Sequence, residues 1–301
     1  MLVVYSLDKC TDLRLKSKIR QTIFRASFCK FPKILSMKGF RNKVVWITGA
    51  SSGIGEALAY ELAGKGARLA LSARNQEKLA NVRETCRSMG TEAEFFPFDL
   101  SRVEEIPKVA EQVLNHYKQL DLLINNGGIS QRSLADETSL EIDRRIMEIN
   151  YFGNVALTKA VLPFMINQGY GHIAVTSSIV GKFGFPLRSA YSSSKHALHG
   201  FYESLNTEMN GKNIKVTMVV PGRIRTNISL HAINKEGEGQ GLMDSGQAEG
   251  LPADKCARKI LKGIKKERRE VLVGGKELLM VYIKKYWPFL FYRIVRKIEH
   301  V

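Results

Sequence analysis

Cysteine is scarce in this chain of 301 residues, and the four that occur, Cys10, Cys29, Cys86 and Cys256, are widely scattered. Their spacing matches neither a metal-binding motif nor the framework of a disulfide-rich secreted protein. The sequence therefore predicts no metal site, and it fits a reducing compartment. Spacing alone leaves open whether any two of these thiols pair.

Long apolar runs are missing as well. Residues 1–36 lack the apolar core of a signal peptide. In the tail, residues 276–301, cations interrupt the aromatic and aliphatic side chains too often for a helix that spans a bilayer. We therefore expect a cytoplasmic protein, with peripheral contact to a membrane as the alternative.

Acidic residues are too few to balance the basic ones: 29 Asp and Glu stand against 46 Lys and Arg, a formal net charge of +17. The densest basic run lies at residues 255–269. Such runs are typical of nucleic-acid-binding proteins, yet no nucleic-acid motif accompanies this one. We interpret it as the solvated face of a helix and expect no nucleic-acid partner.

Short apolar runs rich in β-branched residues alternate with helical patterns along most of the chain. Seven such runs are typical of strands: residues 43–48, 67–73, 93–97, 120–124, 172–177, 214–220 and 270–274. This alternation predicts a parallel sheet with right-handed crossovers. The predicted fold class is α/β, a single domain with a doubly wound, Rossmann-type parallel sheet of seven strands in a three-layer α/β/α arrangement.

A glycine-rich turn follows the first predicted strand. Residues 48–55 read Thr-Gly-Ala-Ser-Ser-Gly-Ile-Gly, and a segment of good helix formers begins at Glu56. Glycines let the backbone approach a pyrophosphate, and a helix N-terminus attracts its negative charge. An ordinary tight turn is the alternative, but a strand before it and a helix after it favour a dinucleotide site.

Tyr191 and Lys195 are four residues apart, so they lie on one face of a helix, one turn from each other. A phenol holds its proton at neutral pH, and a neighbouring ammonium favours the phenolate and lowers the phenol pKa. The pair therefore predicts a general acid or base. The spacing alone is common in proteins, so the interpretation depends on the other motifs.

Six motifs occur in order between residues 43 and 275, and together they resemble the short-chain dehydrogenase/reductase family in its compact single-domain type. They are Thr48-Gly49-x-x-x-Gly53-x-Gly55, Asp99 after an apolar run, Asn125-Asn126-Gly127-Gly128, Asn150, Ser178 located 13 residues before Tyr191, and Pro221-Gly222 with Thr226. Within that family, residues 125–134 and the basic-aromatic tail resemble the dehydrogenase/reductase member 7 branch.

The resemblance implies a catalytic set of Asn150, Ser178, Tyr191 and Lys195. Tyr191 would exchange a proton with a carbonyl oxygen, Ser178 would hold that oxygen, and Lys195 would lower the tyrosine pKa and bind the nicotinamide ribose. Asn150 would hold a water that links Lys195 to solvent. The implied cofactor-binding residues are Thr48, Gly49, Ser51, Ser52, Gly53, Ile54, Gly55, Arg74, Asp99, Asn126, Gly127, Tyr191, Lys195, Pro221, Gly222 and Thr226.

The end of the second predicted strand bears on the choice of cofactor. NAD enzymes usually carry an acid there, which accepts a hydrogen bond from the ribose 2′-hydroxyl. This chain has Ala73 followed by Arg74. Since a cation attracts a 2′-phosphate, we predict NADP(H) rather than NAD(H); a surface arginine without a ligand is the alternative.

The substrate-binding residues are predicted less sharply. In the family, the substrate contacts the segment after Ser178 and the loop after Gly222. Ser178, Phe183, Phe185 and Tyr191 are therefore the predicted substrate residues, and the two phenylalanines favour an apolar carbonyl compound. Residues 227–250 are long enough to form a lid.

Three segments follow from these patterns: a basic extension at residues 1–36, a Rossmann-type domain at 37–275 and a basic-aromatic helix at 276–301. Met37 is a natural start for this fold, so we expect the extension to lie outside it; a mitochondrial presequence is the alternative. The tail either forms an interfacial helix on anionic lipid or packs against its own domain or a partner subunit.

The sequence thus predicts an NADP(H)-dependent oxidoreductase that interconverts a small-molecule carbonyl compound and a secondary alcohol, acting as a homo-oligomer (dimer or tetramer), as its relatives usually are. One alternative is an epimerase or dehydratase on the same fold. A second is a non-catalytic Rossmann scaffold that binds membrane or nucleic acid through the basic C-terminal region.

Overall fold

A computed structural model describes residues 39–297 of the chain. The predicted extension at 1–36, the predicted start at Met37 and two of the cysteines, Cys10 and Cys29, lie outside the described residues. Cys86 and Cys256 are both buried and free.

Seven parallel strands form the main sheet: β1 (Val44–Thr48), β2 (Arg68–Ser72), β3 (Ala93–Phe95), β4 (Leu122–Asn125), β5 (Gly171–Thr176), β6 (Ile214–Pro221) and β9 (Glu270–Val273). Their order across the sheet is β3-β2-β1-β4-β5-β6-β9. The strand order reverses beside β1, which places a crevice at the carboxyl ends of β1 and β4. The predicted seven-stranded Rossmann-type fold is confirmed.

Helices cover both faces of the sheet. They are α1 (Gly53–Ala63), α2 (Gln76–Ser88), α3 (Ile106–Tyr117), α4 (Leu140–Met147), α5 (Gly153–Gln168), α6 (Ser189–Glu208), α7 (Ser245–Ala248), α8 (Ala253–Lys265), α9 (Leu279–Tyr286) and α10 (Pro288–Val295). A π-helical turn, Glu148–Phe152, joins α4 to α5, and 3-10 turns lie at Ile179–Gly181 and Lys276–Leu278.

Two apolar clusters, one on each face of the sheet, form the core. Leu58 of α1, Leu79 of α2 and Ile260 of α8 belong to the first cluster. Val109 of α3 and Leu198 of α6 belong to the second. β1 and β5 are buried at every residue. Strands that are covered on both faces are mostly apolar, and these two sequences are apolar or glycine apart from Thr48, His172 and Thr176.

A second, two-stranded sheet pairs β7 (Ile224–Arg225) with β8 (Leu251–Pro252) in parallel. These strands bracket residues 227–250, the segment predicted as a lid. Strands of two residues are too short for the alternating or apolar patterns that reveal a strand in sequence, so they were not predicted.

The basic run at 255–269 begins within α8, whose apolar face is buried in the core. Arg258 on its outer face bonds to Glu61 and Asp254, at 2.8 and 2.6 Å. The run therefore includes the polar side of an amphipathic helix, as expected.

The tail forms two short helices, α9 and α10, where the sequence predicts a single helix over 276–301. The break occurs at Trp287-Pro288, where Trp287 leaves the helical region with φ −135° and ψ 64°. Proline lacks an amide hydrogen and disfavours helical geometry in the residue before it, so the chain turns there. Between residues 39 and 297, no helix is long and apolar enough to cross a bilayer.

Candidate active site

A cleft of about 1280 Å³ opens at the carboxyl ends of the central strands. Nearly all of the predicted site residues line it, from the glycine-rich turn at one end to Ser178, Phe183, Phe185 and Tyr191 at the other. Gly55 and Asn150 are the exceptions: both lie just behind the wall. The folded chain thus gathers motifs that lie up to 178 residues apart, from Thr48 to Thr226, around one cavity.

The glycine-rich turn leaves the backbone open to a ligand. Gly49 and Gly53 have positive φ angles of 64° and 60°, a conformation that glycine adopts without strain. A Cβ on Gly55 would lie 2.1 Å from the carbonyl oxygen of Gly49. The side chain of Ser52 does not cap α1, so the first amides of this helix face the cleft without that partner. Such a cradle fits a pyrophosphate.

Thr48 and Asn126 join the turn to the end of β4. The hydroxyl of Thr48 accepts hydrogen bonds from the amides of Asn126 and Gly127, both at 3.0 Å. The side-chain amide of Asn126 donates to the carbonyl of Thr48 at 3.2 Å, and its oxygen accepts from Thr176 at 3.3 Å. These hydrogen bonds fix the carboxyl ends of β1, β4 and β5 relative to one another beneath the cleft.

Ser178, Tyr191 and Lys195 come together on the floor of the cleft. Ser178 follows β5 and begins the 3-10 turn, where its hydroxyl accepts a bond from the amide of Val180 at 3.4 Å. The Ser178 side chain lies near the Tyr191 phenol and acts to lower its pKa. The Lys195 ammonium lies 5.7 Å from the centre of the Tyr191 ring and donates to the carbonyl of Thr176 at 2.9 Å.

The pKa of Tyr191 corrects one prediction. Lys195 was expected to lower it, yet the pKa is raised, because burial penalises the phenolate more than its surroundings favour it. The groups that act in the lowering direction are the side chain of Ser178 and the positive charges of Arg132 and Arg188. The phenol therefore carries its proton at neutral pH, and two arginines act on its pKa.

Burial lowers the pKa of Lys195 to about 8. Asn150 lies behind this lysine, in the π-helical turn, and is completely buried. Its side-chain oxygen accepts from the amide of Ile129 at 2.8 Å, and its amide donates to the Ile129 carbonyl and to Ser194 at 2.9 and 3.0 Å. A Cβ on Gly128 would lie 2.8 Å from Asn150 Oδ1 and 3.4 Å from Lys195 Nζ. Gly128 is thus wedged between these two side chains.

Arg74 lies at the far end of the cleft, beyond the glycine-rich turn. Its guanidinium is 4.0 Å from the carboxylate of Asp99, and 61% of its side chain is exposed. Lys78 of α2 lines the same end. This end of the cleft therefore offers two cations, Arg74 and Lys78, which suits a phosphate.

At the opposite end, the two predicted phenylalanines have different surroundings. Phe183 is 3% exposed, and its ring packs against that of Phe291 in α10, with the centroids 5.0 Å apart. Phe185 lies under the guanidinium of Arg188, 5.3 Å from ring centre to Cζ. Because α10 packs here, the tail forms part of the wall behind this end of the cleft, and Met280 of α9 lines the cleft itself.

Sequence reasoning missed a polar cluster beside Tyr191. Gln131 is fully buried; its oxygen accepts from the amide of Tyr191 at 3.2 Å, and its amide donates to Ser133 at 3.2 Å. Arg132 and Arg188 both bond to Asp244, which lies in the segment 227–250. A buried glutamine in a loop has no periodic pattern in sequence, so only the fold reveals this cluster.

Comparison with known proteins agrees with this geometry. The sequence model of the short chain dehydrogenase family matches residues 43–237. A relative from Drosophila melanogaster, dehydrogenase/reductase SDR family protein 7-like, is 42% identical over 267 residues, which cover 86% of this chain and 82% of the relative. Dehydrogenase/reductase SDR family member 7B of Xenopus laevis is 41% identical over 259 residues, 84% of this chain and 80% of that protein.

Solved structures show the same architecture. A short chain dehydrogenase/reductase from Burkholderia phymatum in complex with NAD superposes with a TM-score of 0.76 at 24% identity, covering 84% of this chain and 96% of that one. An alcohol dehydrogenase from Thermococcus sibiricus, complexed with 5-hydroxy-NADP, superposes with a TM-score of 0.67 at 28% identity, covering 78% of this chain and 97% of that one. On the matched motifs and the relatives, this chain belongs to the short-chain dehydrogenase/reductase family of oxidoreductases.

Proposed function

We propose that the protein is an NADP(H)-dependent oxidoreductase that interconverts a carbonyl compound and a secondary alcohol, with Tyr191 as general acid and base. The observation that carries the proposal is the meeting of Ser178, Tyr191 and Lys195 on the floor of one cleft, within reach of the glycine-rich turn. A bound nicotinamide cofactor supplies or accepts the hydride.

Tyr191 performs the proton transfer. Because burial raises its pKa, the phenol is protonated at neutral pH and can deliver its proton to a substrate oxygen during reduction. Ser178 donates a second hydrogen bond to that oxygen and orients the carbonyl. After the transfer, Arg132 and Arg188 stabilise the phenolate through their charges, and Tyr191 recovers its proton before the next turnover.

Lys195 and Asn150 support this exchange from behind. The Lys195 ammonium donates a hydrogen bond to the Thr176 carbonyl at 2.9 Å. Its remaining N–H groups would bind the nicotinamide ribose. The side-chain amide of Asn150 donates to Ile129 and Ser194, and its side-chain oxygen accepts from the amide of Ile129. Asn150 therefore fixes the loop at Gly128 against Lys195, and its predicted role in holding a water stays a prediction.

The remaining predicted cofactor residues that line the cleft support the proposal. The amides of the turn at 49–55 and of the start of α1 would hold the pyrophosphate, and Asp99 would face the adenine. Asn126, Gly127, Pro221, Gly222 and Thr226 line the segment between the turn and Tyr191, where the nicotinamide would lie.

Arg74 and Lys78 support NADP(H) as the cofactor, because both cations line the end of the cleft where the ribose 2′-phosphate would lie. Losing a charge-assisted hydrogen bond lowers affinity by roughly 10- to 100-fold. We expect Arg74→Gln to weaken NADPH binding by that factor and leave NADH binding unchanged, as measured by fluorescence titration. A wild type that binds both cofactors equally would refute the choice of NADP(H).

The test of the reaction is oxidation of NADPH, followed by absorbance, over a panel of aldehydes, ketones, steroids and 3-oxoacyl thioesters. Wild type and Tyr191→Phe are compared. We expect turnover by the wild type and a loss of at least about 100-fold in the variant, whereas NADPH affinity stays the same. Undiminished turnover by Tyr191→Phe would show that Tyr191 is not the general acid and base. A wild type that fails to bind NADPH would favour the non-catalytic Rossmann scaffold.

We further propose that the outer surface of α9 and α10 contacts an anionic lipid surface. Seven of the thirteen large apolar side chains that are exposed among the described residues lie here: Leu279, Tyr282, Tyr286, Trp287, Phe289, Leu290 and Tyr292. Lys284, Lys285, Arg293, Arg296 and Lys297 accompany them, and residues 278–297 contain no acid. Aromatic side chains beside cations favour the interface of an anionic bilayer.

Flotation with vesicles tests this surface in the full chain. Trp287→Ser combined with Phe289→Ser removes two exposed rings, and Leu140→Ser removes an exposed apolar side chain from α4 as the control. We expect the wild type and the control to float with phosphatidylglycerol vesicles and the double variant to remain at the bottom. Equal flotation of all three would contradict the proposal. A homo-oligomer, dimer or tetramer, stays a prediction, which analytical ultracentrifugation would check.

A further inference from the structure

Two arginines share one carboxylate in the wall of the cleft beside Tyr191. Arg132 Nε lies 3.0 Å from Asp244 Oδ2, and an Arg188 terminal nitrogen lies 3.0 Å from the same oxygen. Both arginines and Asp244 line the cleft. The side chains of Arg132 and Arg188 are only 9% and 20% exposed. Two cations are thus held in a largely buried position next to the proposed proton donor.

The charges of this cluster do not balance. Two guanidinium groups against one carboxylate leave one positive charge, and Lys195 adds another cation below Tyr191. Two other acids line the cleft, and neither pairs with these arginines. Asp99 lies at the Arg74 end, and Glu277 accepts hydrogen bonds from the backbone amides of Arg223 and Gly275. A buried cation without a matching anion is unfavourable, so the cluster favours an anionic ligand.

Arg188 also has donors to spare. A guanidinium has five N–H groups. Arg188 uses one on the carbonyl of Pro186 at 3.1 Å and one on Asp244, which leaves three without a partner among residues 39–297. Its neighbour Arg132 uses four, on Asp244, Ser130 and the Gln131 carbonyl. The guanidinium of Arg188 lies over the ring of Phe185, with Cζ 5.3 Å from the ring centre, which restricts the orientation of the free N–H groups.

We propose that Arg188, with Arg132 behind it, binds an anionic oxygen group of the substrate, a carboxylate or a phosphate, while the reacting carbonyl faces Tyr191. The inference rests on the proposed reductase function and names its substrate class. The apolar side chains around the cluster, Ile179, Val180, Phe183, Phe185 and Met280, receive the uncharged part of the molecule. Asp244 holds the two guanidinium groups in place.

The first experiment measures binding without turnover. Benzoate, phenyl phosphate and the neutral benzamide are titrated calorimetrically into protein saturated with NADPH, so that the cofactor occupies its own phosphate sites. We expect at least one of the two anions to bind at least about tenfold more tightly than benzamide. The stronger of the two identifies the oxygen group. Equal binding of all three probes would overturn the inference.

Three variants assign the effect to the cluster. Arg188→Gln is expected to lower anion affinity at least about tenfold and to leave benzamide binding unchanged. Arg144→Gln, an exposed arginine of α4, is the control for net charge and is expected to bind the probes like wild type. Asp244→Asn removes the competing carboxylate, so the ratio of anion to benzamide affinity is expected to rise. If the cluster only clamps residues 227–250, Asp244→Asn and Arg188→Gln would leave this ratio unchanged.

Turnover separates this inference from the proposed function. A 2-oxo acid, a ketone phosphate monoester and their neutral esters are compared as substrates. If the wild type reduces the neutral ketones as well as the charged ones, and Arg188→Gln leaves the preference unchanged, the anion site fails and the reductase stands. If no ketone is reduced although the anions bind as expected, the reductase fails and the anion site stands.

Discussion

The ring of Phe291, in the last helix of the described chain, lies 5.0 Å from the ring of Phe183, in the segment that follows Ser178. Phe291 is 1% exposed, whereas Phe289, two residues earlier, is 82% exposed. One face of the tail is therefore part of the core beside the active-site cleft, and the other faces outward. Of the two alternatives for the tail, packing against its own domain is found, and lipid contact of the outer face is proposed in addition.

Because one of the two side chains is buried and the other exposed, we expect alanine substitutions of Phe291 and Phe289 to lower the stability of the protein by different amounts. Phe291→Ala removes a buried ring and is expected to destabilise the protein by about 3 kcal/mol, lowering the melting temperature by several degrees. Phe289→Ala is expected to change stability by less than about 0.5 kcal/mol. Thermal unfolding followed by circular dichroism measures both. Equal effects of the two substitutions would mean that α10 does not pack as described.

The glycine-rich turn predicts a substitution that blocks the nucleotide. A Cβ on Gly55 would lie 2.1 Å from the Gly49 carbonyl oxygen, so Gly55→Ala must displace the backbone that would cradle the pyrophosphate. The matched control is Gly64→Ala at the other end of α1, where φ is −61° and the nearest atom to an added Cβ is 3.6 Å away. NADPH titration is expected to show a large loss of affinity, at least about 100-fold, for Gly55→Ala only.

His172 predicts how stability depends on acid. Burial lowers its pKa to about 3, whereas an unfolded histidine titrates near ~6.5. Between these values the unfolded state binds a proton and the folded state does not, so stability falls as pH decreases below about 6.5. At pH 5 the loss amounts to about 2 kcal/mol.

The variant His172→Gln lacks this titration. We expect its free energy of unfolding, measured in urea, to fall less between pH 7.5 and pH 5 than that of wild type, by about 2 kcal/mol. Each protein is compared with itself at the two pH values, so the contributions of the other titrating groups cancel between wild type and variant. Any pH-independent cost of losing the 2.8 Å bond between His172 and Thr217 cancels as well. Parallel pH profiles for the two proteins would show that His172 is not the group responsible.

Lys195 predicts the alkaline side of the rate profile. Because burial lowers its pKa to about 8, the side chain loses its charge as pH rises through that value. The neutral amine is a weaker donor to the nicotinamide ribose, the partner that the proposed function gives Lys195, so kcat is expected to fall about tenfold per pH unit above pH 8. NADPH oxidation at saturating substrate between pH 6 and 10 measures this. A rate that stays flat to pH 9.5 would exclude Lys195 as the controlling group.

Much of the site was predictable from sequence because its motifs are local. Tyr191 and Lys195 are one helical turn apart, and the turn at 48–55 lies between a strand and a helix that each have a clear pattern. The parallel direction of the seven strands follows from their alternation with helices, which requires crossover connections. Even the prediction of a cation, Arg74, at that end of the cleft needed only neighbouring residues.

The polar cluster beside Tyr191 was not predictable in this way. Arg132 and Asp244 are 112 residues apart, and neither lies in a regular pattern that points to the other. The direction of the pKa shift of Tyr191 failed for the same reason, because burial of the phenol depends on how α6 packs against residues 129–134 and 178–188. Spacing shows which groups are near along a helix, but it does not show how much water remains around them.

The sequence by itself determined the sheet, the nucleotide-binding turn and the Tyr191-Lys195 pair, since each depends on residues within a few turns or on rules of strand connection. Only the tertiary structure decided which charges surround Tyr191, and that Phe291 packs behind Phe183 so that the tail has one buried face. These features depend on contacts between segments about 60 to 110 residues apart, and such contacts form only when the whole core excludes water.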